Sequence, residues 1–479
     1  MIQGHVTRTP SWKETNTMTT RRTNRRNFLQ ASTAAGVGFW VAGGVQAQES
    51  TSALETINFA CIGVGGKGQS DSNDAARHGN VVAICDIDEN NLGKAAARWP
   101  KARKFNDYRK MIEEFGDSFD AVTVSTPDHS HAPASSLAIK AGKHCFTQKP
   151  LTHSIEEARV LGELAKKHGV QSQMGNQGTA SGNLRKTAAL VQAGLLGNVS
   201  EVHVWTNRPV WPQGNVQPKE GPVPAHIHWN EFLGPAKHRA YAPDYHPFKW
   251  RGWWDFGTGA LGDMACHTLN LPFMALELKD PVSVVAESAE HDKQTYPGWS
   301  VITFQFPALG DRGPVKLVWY DGGKKPAADL FPAPAIFTDS QGKAVDPGQY
   351  RKILNTGSLM VGDKGSLLSP GDYGWDTTYT GVLADNEWIP QSQIKEPTVE
   401  IVKSPGHFKE YANAIKGGPT PRSNFADYAG PLTEVILLGN LAVWVSGKKI
   451  EWNAKKLRAT NAPEVADIVR KKYLNGYSI

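Results

Sequence analysis

From Thr56 onward, short apolar runs alternate with stretches of helical spacing, the pattern of parallel βαβ units. Ile57–Ile62, residues 81–85, Ala121–Val124 and His144–Thr147 read as strands. Ser154 followed by Glu157 makes a capping box; Leu161, Leu164, Ala165 and His168 then share one face, and Gly169 ends that helix. This half predicts a doubly wound parallel sheet. After about Gly175 the texture changes. A helix is expected near residues 184–193, then a passage rich in Pro, Gly and Trp over 207–224, then a helical run over 261–278. Residues 282–286, 301–306 and 315–319 have the β-branched and aromatic content of strands separated by turns, as in a mostly antiparallel sheet. The proline-rich stretch 324–334 reads as a long loop. The expected fold class is α/β: a doubly wound N-terminal domain over 55–175, and a C-terminal α+β domain over 176–479 with a large, open, mostly antiparallel sheet.

The residues ahead of the first strand read as an address. An arginine-rich start, with Arg25-Arg26-Asn27-Phe28-Leu29, leads into an Ala/Gly/Val stretch over 31–45 and the small residue Ala47. That order is a signal peptide, and the paired arginines before Phe-Leu resemble the twin-arginine signal that exports folded proteins. Residues 1–47 are therefore expected to be leader and signal peptide, with Met18 an alternative start, cleavage after Ala47 and a periplasmic destination; a basic tail without structure is the other reading. Composition narrows the partners. With 40% hydrophobic and 20% charged residues and no continuous apolar span, no membrane crossing is expected. The net charge of +6 is spread thinly, without a basic block interleaved with aromatics, so nucleic acid is not an expected partner. Fifteen tryptophans, many between Trp205 and Trp319, suit either stacking on sugar faces or core packing. Cys61, Cys85, Cys145 and Cys266 each lie in or beside an apolar run and lack metal-ligand spacing, so neither a disulfide nor a structural zinc is expected. His226-x-His228 has no third ligand at a matching spacing and is read as an ordinary packed segment.

Chemistry enters directly after the first strand. Gly63, Gly65 and Gly68 satisfy G-x-G-x-x-G, with Gly66 in the same turn, and the helix that follows offers its N-terminal amides to a pyrophosphate. Asp86 closes the second strand 23 residues after Gly63, where a carboxylate binds ribose hydroxyls and repels a 2′-phosphate. Strand, turn and acid together point to a Rossmann dinucleotide site that prefers NAD to NADP. Oxidation of a carbinol also needs a base and a group that stabilises the developing alkoxide. Lys149 follows the fourth strand at the carboxyl edge of the sheet, and Asp263 and His267 sit four apart on one helix face, where the carboxylate could orient the imidazole. On spacing alone, Lys149 also reads as a solvated loop residue before Pro150, and Asp263 with His267 as a surface pair.

These features, together with Thr126-Pro127-Asp128-His129-Ser130-His131, occur in the order seen in the glucose-fructose oxidoreductase, inositol dehydrogenase and rhizopine catabolism (Gfo/Idh/MocA) family, which the chain resembles over the whole mature length, the exported twin-arginine subset included. The resemblance implies NAD as cofactor, Lys149 as the lysine of a Glu-Lys-Pro motif, Asp263 as the helix aspartate and His267 as proton acceptor. It adds Thr126, Pro127, His131 and Asn176 to the cofactor-binding candidates, with Gln177, Trp253, Trp254 and His407 as substrate candidates, for which loop or packing roles stay open. It also implies a homo-oligomer, dimer or tetramer. The chain departs at Gln148, where the family has glutamate; an amide removes a charge beside Lys149. The expected activity is oxidation of a sugar, glycoside or polyol hydroxyl. The alternatives are a redox-neutral glycosidase or epimerase using transient oxidation, and a non-catalytic NAD- and sugar-binding sensor.

Overall fold

The alternation of apolar and helical stretches resolves into two sheets. The computed structural model describes residues 56–338, 343–346, 348, 350, 354–382 and 385–479, and the signal-peptide reading of residues 1–47 lies outside them. The first sheet has six parallel strands, β1 (Ile57–Ile62), β2 (Gly79–Cys85), β3 (Arg103–Phe105), β4 (Ala121–Val124), β5 (His144–Thr147) and β6 (Ser172–Met174), in the order β3-β2-β1-β4-β5-β6. The order reverses between β1 and β4, so a crevice opens at their carboxyl ends. β3 and β6 are short and were not anticipated. Their sequences, Arg-Lys-Phe and Ser-Gln-Met, lack a strand's apolar signature, and pairing with β2 and β5 holds them extended. The helix Ile155–His168 begins at the expected capping box and ends at Gly169 in the left-handed region.

The second sheet has ten strands: β7 (Val199–Trp205), β8 (Ser283–Ser288), β9 (Ser300–Phe306), β10 (Val315–Tyr320), β11 (Gly357–Gly362), β12 (Gly365–Pro370), β13 (Thr378–Val382), β14 (Trp388–Pro390), β15 (Ile450–Asn453) and β16 (Arg458–Ala459). They run in the order β14-β13-β12-β11-β7-β10-β9-β8-β15-β16, and only β7 with β10 pairs parallel. The fold is the expected one, α/β with a Rossmann parallel sheet and a second, mostly antiparallel sheet.

The helix Gly430–Trp444 is apolar nearly all round and packs between the helix Ile155–His168, β8 and the helix Gly259–Thr268. Gly439 makes that last approach possible: a Cβ there would lie 2.6 Å from Leu261. Asn440 Nδ2 donates to Thr258 O at 2.8 Å, which seats the start of the same helix. The chain later returns to the first sheet, where the helix His407–Ile415 sets Phe408 against Phe59 and Phe146. All four cysteines are buried and unpaired. Among the described residues, no helix is long and apolar enough to cross a membrane, and no three metal-ligating side chains form a group.

Candidate functional site

The glycine turn lies at the crevice, shaped by crowding on one side and open on the other. A Cβ on Gly63 (φ +77°) would lie 2.4 Å from Ser125 O, and one on Gly68 would lie 1.9 Å from Gly63 O. Both contacts are to backbone, so no side-chain movement relieves them. Gly66 (φ +50°) faces open space, and the helix Lys67–His78 starts beside it with no side-chain cap and no acid in its first turn. An uncapped helix N-terminus with room for a group in front of it fits a pyrophosphate. Asp86 is buried just after β2; Oδ2 accepts from Val64 N at 2.9 Å and Gly65 N at 3.2 Å, and Oδ1 from Asp88 N at 2.9 Å. The carboxylate thus buckles the turn, beyond the ribose contact expected of it. Burial raises its pKa, against the pull of these amides.

Thr126 and Pro127 follow β4 beside Gly63. His131, the other cofactor candidate of this loop, is buried. Its ring lies between two carbonyls, Nδ1 2.8 Å from Pro150 O and Nε2 2.8 Å from Thr126 O, and the one N–H of the neutral ring donates to one of them.

The side chains expected to do chemistry meet across the crevice. Lys149 Nζ donates to Asp263 O at 2.7 Å and to Asp263 Oδ1 at 3.1 Å. Arg251 Nε donates to the same Oδ1 at 2.9 Å, while its guanidinium lies 4.3 Å from the Trp250 ring centre. Burial alone would raise the Asp263 pKa; the Lys149 and Arg251 cations outweigh it and hold the carboxyl well below its ordinary range. With its charge taken by two cations, Asp263 does not orient His267, contrary to what their spacing suggested. Asn176 does. Its Nδ2 donates to Cys266 O at 2.6 Å, which turns Oδ1 to within 3.3 Å of His267 Nδ1. An amide oxygen only accepts, so Nδ1 carries the proton and Nε2 keeps a lone pair. Burial, followed by the nearby Lys149 charge, pushes the His267 pKa down to about 3, so the ring is neutral across the working pH range. A buried contact fixes the helix start: Thr258 Oγ1 donates to Asp128 Oδ2 at 2.6 Å.

Gln148 has a physical explanation. Its Nε2 donates at 2.8 Å to Oδ2 of the buried Asp71, which also accepts from Ser125 Oγ at 2.8 Å and, on Oδ1, from Lys67 Nζ at 2.6 Å. A glutamate at 148 would set carboxylate against carboxylate; the amide is the donor that Asp71 requires. Gln177, in the amide orientation that satisfies both its atoms, accepts from Lys67 Nζ at 2.9 Å and donates to Gly175 O at 3.1 Å. One lysine of the glycine turn therefore reaches the loop after β6.

Other expected substrate residues fall elsewhere. Trp253 is fully buried, with its ring centre 4.8 Å from that of Tyr245, and Trp254 stacks on Tyr296 at 3.8 Å; both are packing residues. His407 is buried, with Nε2 2.9 Å from Met174 O at the end of β6. Lys67, Asp71 and Arg251 escaped the sequence reading. Lys67 and Asp71 are one helical turn apart, a spacing that marks them as a pair but says nothing of the crevice they face.

Comparison with known proteins agrees with this architecture. Two family models match in tandem: "Oxidoreductase family, NAD-binding Rossmann fold" (GFO_IDH_MocA) over residues 57–176 and "Oxidoreductase family, C-terminal alpha/beta domain" (GFO_IDH_MocA_C2) over 180–314. Together they span more than half of the chain. The uncharacterized oxidoreductase YdgJ of Escherichia coli (strain K12) is 27% identical over 347 residues, 71% of this chain and 82% of that protein. In further relatives the match spans between 32% and 44% of their length. The WlbA dehydrogenase of Bordetella pertussis, solved with NADH and UDP-GlcNAcA, superposes with a TM-score of 0.55 at 18% identity, covering 83% of this chain and 99% of that one. The aldose-aldose oxidoreductase of Caulobacter crescentus, complexed with glycerol, gives 0.53 at 16% identity, covering 83% and 100%.

Proposed function

The chain belongs to the Gfo/Idh/MocA oxidoreductase family and binds NAD on its Rossmann fold, and from that premise we propose that it oxidises a hydroxyl of a sugar, glycoside or polyol. One observation carries the reading: Lys149, from the loop after β5, bonds the helix of the second sheet one turn before His267, which brings a cation and a neutral imidazole to one crevice. NAD, when bound, supplies the hydride acceptor. On the protein's side, Lys149 Nζ donates to the substrate oxygen and stabilises its developing charge, and His267 Nε2 takes the hydroxyl proton. Asp263 and Arg251 hold Lys149 in place, and Asn176 holds the base in the tautomer it needs. A carbonyl forms as the C–H and O–H bonds break.

The sugar preference is supported by relatives such as the aldose-aldose oxidoreductase, and the twin-arginine run Arg25-Arg26-Asn27-Phe28-Leu29 supports a periplasmic site of action. Assembly into a dimer or tetramer belongs to the same proposal and is read by light scattering. The test of activity is a panel of sugars, glycosides and polyols with the purified protein and NAD, following reduced-nicotinamide absorbance together with product masses. Reduced cofactor and a ketone lighter by one H₂ is the expected result. Bond cleavage without net reduction would replace it with the redox-neutral reading, and NAD binding with no turnover on any substrate would leave the sensor.

A further inference from the structure

The hairpin connection between β12 and β13 brings two aromatics to the catalytic base, and nothing in the reaction outlined above uses them. The Tyr373 ring centre lies 4.7 Å from that of His267, at 61°, and Trp375 stacks on Tyr373 at 4.7 Å and 18°. Trp375 is 52% exposed and Tyr373 37%; among the described residues no other tryptophan is so open to solvent. A line of rings thus runs outward from the imidazole into water.

The backbone beneath those rings is fastened. Thr356 Oγ1 donates to Asp372 Oδ1 at 2.8 Å, Ser369 Oγ donates to Asp376 O at 3.3 Å, and Asn183 Nδ2 donates to Trp375 O. Between the rings, Gly374 turns inward at φ +67°, where a Cβ would lie 3.1 Å from Leu184. The buried glycine draws the chain down and leaves its two neighbours pointing out. Such a platform loses little entropy on binding. At its rim, Arg208 Nη2 lies 3.8 Å from Asp372 Oδ2, a charge pair too open to be a hydrogen bond, with a donor and an acceptor facing the same loop.

Fixed, exposed aromatic faces flanked by polar groups match the C–H faces and hydroxyl rims of a pyranose. We propose that Tyr373 and Trp375 form a second sugar subsite, which holds the ring next to the one being oxidised, so that the substrate is a glycoside of at least two rings. This rests on the sugar-oxidation reading and names its substrate class. Two ring-to-ring steps of 4.7 Å separate His267 from Trp375, a span on the scale of a neighbouring sugar ring.

The test separates binding from turnover. Dissociation constants of glucose, galactose and mannose, and of cellobiose, maltose, lactose and mannobiose, are measured by calorimetry on the NAD-bound protein, in the native chain and in Trp375→Ala and Trp375→Tyr. The same sugars are assayed for reduced nicotinamide. At least one disaccharide is expected to bind about tenfold more tightly than its monosaccharides, with the ratio falling to near one in Trp375→Ala and mostly retained in Trp375→Tyr. The subsite is overturned if no disaccharide is preferred, or if a preference survives Trp375→Ala. Because Trp375 is half in solvent, its truncation leaves the core intact, and a melting curve checks that. A Trp375-dependent preference without reduced nicotinamide would keep the subsite and remove the oxidation reading; turnover without that preference would do the reverse.

Discussion

The two sides of the crevice are made from different materials. On the cofactor side, Gly63, Gly66 and Gly68 act through what they lack, and Asp86 serves the backbone amides of Val64 and Gly65. On the chemical side, Lys149, Asn176, Arg251, Asp263 and His267 act through side chains drawn from four separate segments. A backbone-built site tolerates almost no added atom. A side-chain-built site tolerates local change but depends on contacts spanning more than a hundred residues, as Lys149 with Asp263 does.

The contrast breaks most sharply at Gly68. Gly68→Ala puts a Cβ 1.9 Å from a carbonyl oxygen and is expected to cost about 3 kcal/mol of stability and to abolish NAD binding, read by melting and by cofactor titration. Gly66→Ala meets nothing within 4 Å; it should stay within about 2 kcal/mol of the native stability and still lose NAD affinity. If Gly66→Ala keeps its NAD affinity, the open side of the turn is not where the pyrophosphate sits.

On the other side, His267→Gln is expected to lower kcat by about 10²–10⁴ while the NAD dissociation constant moves less than about threefold. A collapse of cofactor binding in that variant would mean that the two sides are not separable. Gln148→Glu tests their seam. It sets a carboxylate where Gln148 Nε2 now stands 2.8 Å from Asp71, and is expected to cost about 2 kcal/mol, recovered in the double variant with Asp71→Asn. Recovery absent from the double variant would detach Gln148 from Asp71.

The smallest effect is acid sensitivity. Burial holds His144 and His407 at about 4 and His267 at about 3, below their ordinary 6.5. Gln171 N donates to His144 Nδ1 at 2.9 Å, which requires that nitrogen to be unprotonated. Below pH 6.5 the unfolded chain takes up protons that these folded rings refuse, so their contribution is complete above 6.5 and is lost as pH falls toward 4. Asp128 and Asp321, raised by burial to about 7 and about 6, run the other way, as do Asp71, Asp86 and Glu434 by their direction, while His129 and His131, held at about 3 and about 4, and His153 add to the histidine side. The melting temperature is expected to fall by roughly a few degrees between pH 7 and pH 5. A flat profile, or no change of slope in His144→Gln, would remove the buried histidines as its cause.

Much of the parallel half was legible because its signals are local. The apolar runs of β1 and β4 lie wholly between polar neighbours, and the Ser154/Glu157 box and Gly169 mark both ends of one helix. β3 and β6 were not, since three residues of Arg-Lys-Phe or Ser-Gln-Met become strands only by pairing with a neighbour. Tryptophans show the same limit. Trp253 and Trp254 stand near the helix of Asp263 and His267 in sequence yet pack inward, while Trp375, more than a hundred residues after His267, is exposed and stacks on Tyr373 beside that histidine.

By itself, the sequence determined what a few consecutive residues settle: the turn of Gly63 to Gly68, the acid after β2, the lysine after β5, and the helix that holds Asp263 and His267 one turn apart. Tertiary structure decided which partner each charge takes. Asp263 goes to Lys149 and Arg251 rather than to His267, Asn176 sets the tautomer of His267, and Asp71 accounts for the amide at 148. The physical reason is range. Backbone conformation and helix capping depend on neighbours a few residues away, whereas a buried charge or ring is defined by whatever the fold packs against it.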